Sequence, residues 1–263
     1  MLRNARALAL GVLALACTGS PSALVTFPSE DGVTCTADLF LASSKDSAPF
    51  IVLFHQAGNS RGEYAEIAPR LNALGYNCMA VDARSGGEAK GVKNATYAAA
   101  EAAGKSTSRY LDALPDLVAA LKHARKTYAK GKLIAWGSSY SASLVLHIAA
   151  TQPGLVDGVL AFSPGEYFAA GKSGSWIAEE TAKINALPVF ITSGPQEEGY
   201  WKRMYETMPS TQKVSFLPEG TASLHGSSVL WSNLGSVAYP IPNPLAESYW
   251  TATVAFLNRH FAP

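Results

Sequence analysis

In several strand-like segments of this chain apolar residues do not alternate with polar ones but come in short unbroken runs. Residues 50–54 read FIVLF and residues 133–136 read LIAW. A strand with one face in water alternates, so an unbroken run marks a strand covered on both faces, as in a central parallel sheet. Residues 77–81, 156–162, 189–192 and 214–217 read as further strands. Between them the period changes. Leu111, Leu114, Leu117, Val118 and Leu121 recur at helical spacing and predict a helix over 109–128. Helices are also predicted over 62–74, stopped by Gly75, and over 140–150, 199–208 and 245–260. Residues 24–27 and 33–41 read as a hairpin around Ser29, Glu30, Asp31 and Gly32.

Strands alternating with helices predict an α/β fold, a mostly parallel central sheet with helices on both faces. Two stretches interrupt the alternation. Residues 85–108 are rich in Gly, Ala and Lys and are predicted as a long loop with one helical turn. Residues 165–186 are a short cap insertion carrying Tyr167, Phe168 and Trp176. Insertions at the carboxyl edge of such a sheet are where ligands are gripped.

The 263 residues suit one large domain, expected over 24–263. Hydrophobic residues make up 48% and charged residues 16%, with a net charge of +1, a balance that excludes disorder. No basic stretch is dense enough to track phosphates, so no nucleic-acid partner is expected. Arg3 and Arg6 precede an apolar segment over 7–16, a basic-then-apolar leader too short to span a bilayer. Residues 1–17 are therefore predicted as a signal peptide, and the small residue before Cys17 gives it the look of a bacterial lipoprotein signal. Lipidated Cys17 would attach the exported protein to a membrane; ordinary cleavage nearby would leave it periplasmic or extracellular. Residues 18–23 are a Ser/Pro/Gly tether. Cys35 and Cys78 fall on strands expected to be neighbours. Two buried free thiols are the favoured reading over a disulfide, because adjacency does not fix the Cα separation a bridge needs.

One pattern carries chemistry. The apolar strand ending at Trp136 runs directly into Gly137, Ser138, Ser139, Tyr140 and Ser141, and then into a helix. This resembles the nucleophile elbow of the α/β-hydrolase family, normally Gly-x-Ser-x-Gly. Small residues are needed there because strand and helix close on one another. Ser141 departs from the pattern by a hydroxymethyl group. The resemblance implies Ser139 as nucleophile and the chain order Ser, acid, His. Among the five histidines, His225 lies in a loop after the last predicted strand and fits that order as the base. His123 and His147 lie within predicted helices, His260 in a last helical turn, and His55 in another motif. The acid follows the strand over 189–192. Relatives place a carboxylate three residues beyond a Gly, which selects Glu197 after Gly194, with Glu198 and Glu166 as alternatives. The oxyanion hole would take the backbone N–H of Tyr140 and one from the loop of His55, Gln56, Ala57 and Gly58, which is similar to the family's His-Gly-x segment. Ala57 is the expected donor there, with Gln56 adjacent. Gln56, Glu166, Tyr167 and Trp176 are expected to line the substrate's place.

The resemblance covers residues 24–263 and looks closest to the dienelactone-hydrolase-like branch, by the segments Phe54-His55-Gln56-Ala57-Gly58 and Ser163-Pro164-Gly165-Glu166-Tyr167. Dienelactone hydrolases themselves use a cysteine nucleophile, so their substrate does not carry over to Ser139. The resemblance implies a serine esterase acting on a small acyl substrate with no cofactor. A peptidase or thioesterase on the same fold, and a fold that has lost catalysis and binds a ligand at the cell surface, are the rival readings. No phosphate loop, Gly-x-Gly-x-x-Gly motif or metal-ligand spacing is present, so no metal is expected. Asp82, at a strand end, is expected to brace its loop through Arg84.

Overall fold

The computed structural model of the protein describes residues 21, 23–42, 47–220, 224–235 and 239–263. The expected leader with Cys17, and most of the tether, lie outside the described residues. The strands are β1 (Ala23–Pro28), β2 (Thr34–Phe40), β3 (Phe50–Phe54), β4 (Asn77–Val81), β5 (Glu88–Ala89), β6 (Val92–Lys93), β7 (Leu133–Ser138), β8 (Gly158–Phe162), β9 (Val189–Thr192) and β10 (Lys213–Phe216). The helices are α1 (Ile67–Ala73), α2 (Ala95–Ala102), α3 (Leu114–Thr127), α4 (Tyr140–Thr151), α5 (Trp176–Thr181), α6 (Glu198–Thr207) and α7 (Ala246–Phe261). Eight strands join in the order β1-β2-β4-β3-β7-β8-β9-β10. β2 runs antiparallel to β1 and β4; all other neighbours are parallel.

The unbroken apolar runs have the expected cause. Along β3, Phe50, Val52 and Phe54 enter one apolar cluster, with Leu117 and Leu121 of α3 and Leu144 and Val145 of α4. Ile51 and Leu53 enter the other, with Ile67 and Leu71 of α1 and Tyr249, Trp250 and Leu257 of α7. Successive side chains point to opposite faces, and both faces are covered. The same geometry keeps the thiols apart. Cys35 belongs to the first cluster and Cys78 to the second, and Cys78 pairs with Phe40 at the far end of β2. Both are buried and free.

Prolines trim two predicted helices. Pro115 and Pro69 stand in the first turns of α3 and α1, where a missing N–H costs nothing, so each helix begins there behind a short 3-10 turn. Residues 85–108 hold more structure than one helical turn. β5 and β6 form a hairpin, and α2 runs two turns, because Asn94 accepts the Tyr97 N–H at 2.7 Å as its N-cap and alanines fill its body. Asp82 does not pair with Arg84. It holds Arg61 at 2.7 Å and the Ala95 N–H at 2.8 Å, whereas Arg84 is claimed by Asp116 and Asp31.

The chain leaves β3 for β4 on one side and returns to β7 on the other, so the sheet order reverses at β3 and β7. A crevice outside the carboxyl ends of such strands is the natural ligand site of an open α/β sheet. At the end of β7 the strand and α4 meet so closely that a Cβ on Gly137 would lie 2.4 Å from the Ser141 backbone oxygen. Gly137→Ala is therefore expected to destabilise the protein by about 1–3 kcal/mol or more, read as a lowered midpoint in urea unfolding at unchanged slope.

Candidate active site

Ser139 sits between β7 and α4 with φ 60° and ψ −122°, a left-handed conformation that L-residues avoid. Two bonds hold the bend. Ser139 N–H donates to Phe162 O of β8 at 2.8 Å, and Ser138 N–H donates to Ser141 Oγ at 2.8 Å. Ser141, where the family motif has Gly, is thus more than tolerated: its hydroxyl also reaches Phe54 O at 2.8 Å and ties the elbow to β3. The bend lifts the Ser139 side chain off the sheet edge, with 8% of the residue exposed.

His225 meets it from the loop after β10. His225 Nε2 lies 2.7 Å from Ser139 Oγ, and Nδ1 lies 2.5 Å from Glu197 Oε1. A carboxylate can only accept, so Nδ1 carries the proton and Nε2 is left to accept from the hydroxyl. Glu197 closes the short 3-10 turn Pro195–Glu197 after β9. Its other oxygen accepts Ser163 Oγ at 2.7 Å and the Gly194 N–H at 3.3 Å. Burial pushes the Glu197 carboxyl up, but the His225 and Ser163 hydrogen bonds outweigh it and hold the group below the usual glutamate range. In the sequence reading Ser163 has no role of its own in the site. It ends β8 at φ 54° and accepts the Gly226 N–H at 2.9 Å while donating to Glu197. A lone serine at a strand end carries no signal of that bridging role.

The loop after β3 is ordered by its own polar groups. His55 Nε2 accepts the Ala83 N–H at 2.9 Å, which leaves Nδ1–H to donate to Gln56 O at 2.7 Å. That bond fixes the peptide whose N–H belongs to Ala57. The Gln56 N–H is taken by the buried Glu63 at 2.7 Å, which leaves Ala57 as the donor candidate on this loop. Tyr140 follows Ser139 as the first residue of α4.

The cap residues divide. The Tyr167 hydroxyl donates to Ser163 O at 2.9 Å, and burial pushes that hydroxyl's pKa up to about 12. Its ring packs on Gly165, where a Cβ would come within 2.6 Å. Tyr110 stacks on Tyr140, and Tyr110 and Tyr200 are 39% and 65% exposed. Glu166, by contrast, accepts the Ile177 and Ala178 N–H groups at 2.8 and 2.9 Å. Its carboxylate caps α5 and is not available to His225 or to a substrate. Trp176 is buried, with its ring against Phe168 and His147 and under Lys172. Both were expected to line the substrate's place; the helix formed by the insertion consumes them instead. Among the described residues no group of three His, Cys, Asp or Glu could hold a metal ion, and no helix is long and apolar enough to cross a membrane.

Compared with known proteins by sequence, the chain matches no curated protein at a significant level. The family model for serine aminopeptidase, S33, matches residues 45–196, more than half of the chain. Solved structures share the fold. The Pyrococcus furiosus esterase Pf2001 aligns over 91% of this chain and 92% of its own at TM-score 0.67 and 19% identity. Dienelactone hydrolase from Anabaena variabilis aligns over 92% and 100% at TM-score 0.65 and 13% identity. Est1E from Butyrivibrio proteoclasticus, solved with ferulic acid bound, aligns over 91% and 100% at TM-score 0.63 and 13% identity. A family match of that extent, on this sheet order and this strand-to-helix bend, has one meaning: the chain belongs to the serine aminopeptidase S33 family and is a serine hydrolase of the α/β-hydrolase fold.

Proposed function

We propose that the protein is a serine esterase that cleaves a carboxylic ester of a small substrate through an acyl-enzyme. The observation that carries this reading is the placing of His225 between Ser139 Oγ and Glu197. In this reading His225 Nε2 takes the Ser139 proton as Oγ attacks the acyl carbon. The oxyanion is held by the N–H groups of Tyr140 and Ala57. The proton passes from His225 to the leaving alcohol, and water, activated by the same imidazole, then releases the acid. Glu197 fixes the tautomer and stabilises the imidazolium. Tyr167, held beside Glu197 through Ser163, offers a ring to an aromatic or apolar group, which fits the esterase and ferulic-acid-binding neighbours.

Amide cleavage is a second reading, favoured by the family description. An aminopeptidase needs a carboxylate free for the substrate's α-ammonium. Glu197 is committed to His225 and Glu166 to α5, so the amide reading would have to use Glu198 at the start of α6. Export, with lipidation at Cys17, belongs to the same proposal and rests on residues 1–17 alone.

Ser139→Ala is expected to lower turnover of short p-nitrophenyl esters by at least about a thousandfold without loss of fold. Full activity in this variant would remove Ser139 as nucleophile. Amino-acid p-nitroanilides should be turned over far more slowly than the esters by the wild type; the reverse order would favour the amide reading. Glu197 adds a pH signature. Its folded-state carboxyl titrates below the unfolded value of about 4.3, so its stabilising contribution is present above that pH and is lost as pH falls through the folded value. The melting-temperature advantage of the wild type over Glu197→Gln should therefore be present at pH 5 and shrink progressively as pH falls below about 4.3.

A further inference from the structure

Two glutamates, not one, hold the loop that carries His225. The first is Glu197, through Ser163 Oγ to the Gly226 N–H. The second is Glu63. Ser138 Oγ donates to Glu63 Oε1 at 2.7 Å and accepts the Ser227 N–H at 2.8 Å. Two successive amides of the histidine loop are thus tied through serine hydroxyls to two carboxylates. The approach is close: Gly226 has φ 65°, and a Cβ there would lie 2.2 Å from Ser138 Oγ. The other Glu63 oxygen accepts the Gln56 N–H at 2.7 Å and Asn59 Nδ2 at 3.3 Å. One side chain therefore bonds the loop after β3 and the elbow directly, and the histidine loop through Ser138.

Glu63 is fully buried and pairs with no Lys or Arg among the described residues. An apolar residue of similar size would be the less costly occupant of such a place. What the carboxylate adds is three oriented acceptor bonds. The Gln56 N–H and the Asn59 amide can only donate, and the Ser138 hydroxyl, which accepts from Ser227, donates its hydrogen to Glu63. Burial pushes its carboxyl up, while Ser138, Gln56 and Asn59 pull it back down in part.

We propose that Glu63 and Ser138 are a positioning pair, which fixes the donor loop at Gln56 and Ala57 and the histidine loop at Gly226 and Ser227 to the elbow as one rigid unit without touching the substrate. This rests on Ser139 being the nucleophile. Loosening the unit moves His225 and the Ala57 N–H relative to Ser139, and small displacements of that kind cost rate more than ground-state binding.

The test measures kcat and KM for a p-nitrophenyl ester, below each protein's melting temperature, for wild type, Ser139→Ala, Ser138→Ala, Glu63→Gln and the Ser138→Ala/Glu63→Gln double variant. Ser138→Ala and Glu63→Gln should each lose about 10- to 100-fold in kcat while KM changes by less than about threefold. The double variant should be little worse than the weaker single, because both remove one connected set of bonds. A merely structural role would lower the melting temperature and leave kcat of the folded enzyme in place. If Glu63→Gln does not fold, Ser138→Ala decides alone, since it removes one hydroxyl and leaves Glu63 its bonds to Gln56 and Asn59. A kcat for Ser138→Ala within about twofold of wild type, or losses that simply add in the double variant, would overturn the pair. Full activity in Ser139→Ala overturns the nucleophile reading and this inference with it. An inactive Ser139→Ala beside a fully active Ser138→Ala overturns this inference alone.

Discussion

The Ser139–His225 hydrogen bond depends on a backbone turn that the chain would otherwise avoid. A strand passes into a helix through one residue at φ 60°, and only then does a serine hydroxyl stand clear of the sheet edge at the end of β7. The cost is carried by the surroundings. β7 is buried along its whole length, α4 is packed against β7 and β8, and the bend is bonded to Phe162, Ser141 and, through Ser141, to Phe54. Gly137 has no alternative because the helix backbone occupies the space its side chain would need.

From that fixed point the rest of the site is assembled by loops at one edge of the sheet. β3 supplies Gln56 and Ala57, β8 supplies Ser163 and Tyr167, β9 supplies Glu197, and the segment after β10 supplies His225. Short polar relays keep these loops in register. Ser163 joins Glu197 to Gly226, Ser138 joins Glu63 to Ser227, and His55 joins Ala83 to the peptide before Ala57. Serine suits this task because one hydroxyl both donates and accepts, and it is small enough to be buried beside backbone. The carboxylate of Glu63 is satisfied by hydrogen bonds and by no Lys or Arg among the described residues, which gives it direction as well as charge.

Much of this was legible in the sequence because it is written locally. Short unbroken runs such as FIVLF read as strands covered on both faces, and a strand leading into Gly137-Ser138-Ser139 and then a helix is a local pattern. His225 and Glu197 are singled out only through the order that the family resemblance implies; in the structure their side chains lie 2.5 Å apart, with His225 Nε2 2.7 Å from Ser139 Oγ. What escaped was written across the chain. Glu63 and Ser138 are 75 positions apart, and Ser163 and Gly226 are 63, so no window of sequence displays either contact. Glu166 and Trp176 were misjudged for a related reason. Their neighbourhood suggested a substrate wall, but the insertion folds its own helix, and that helix needs an N-terminal cap and an apolar anchor of its own. Over 85–108 the glycines and lysines obscure the Asn94 cap, so the sequence shows one helical turn where the structure has two and a hairpin.

The central claim is that the bend between β7 and α4 presents an activated hydroxyl to an electrophilic centre. Mapping the adduct of a fluorophosphonate on the folded protein by peptide mass spectrometry tests this most directly. A single adduct on Ser139, formed rapidly in the wild type and slowly when His225 is replaced by Ala, is the expected result. An adduct on another serine, or none on the folded protein, would contradict it.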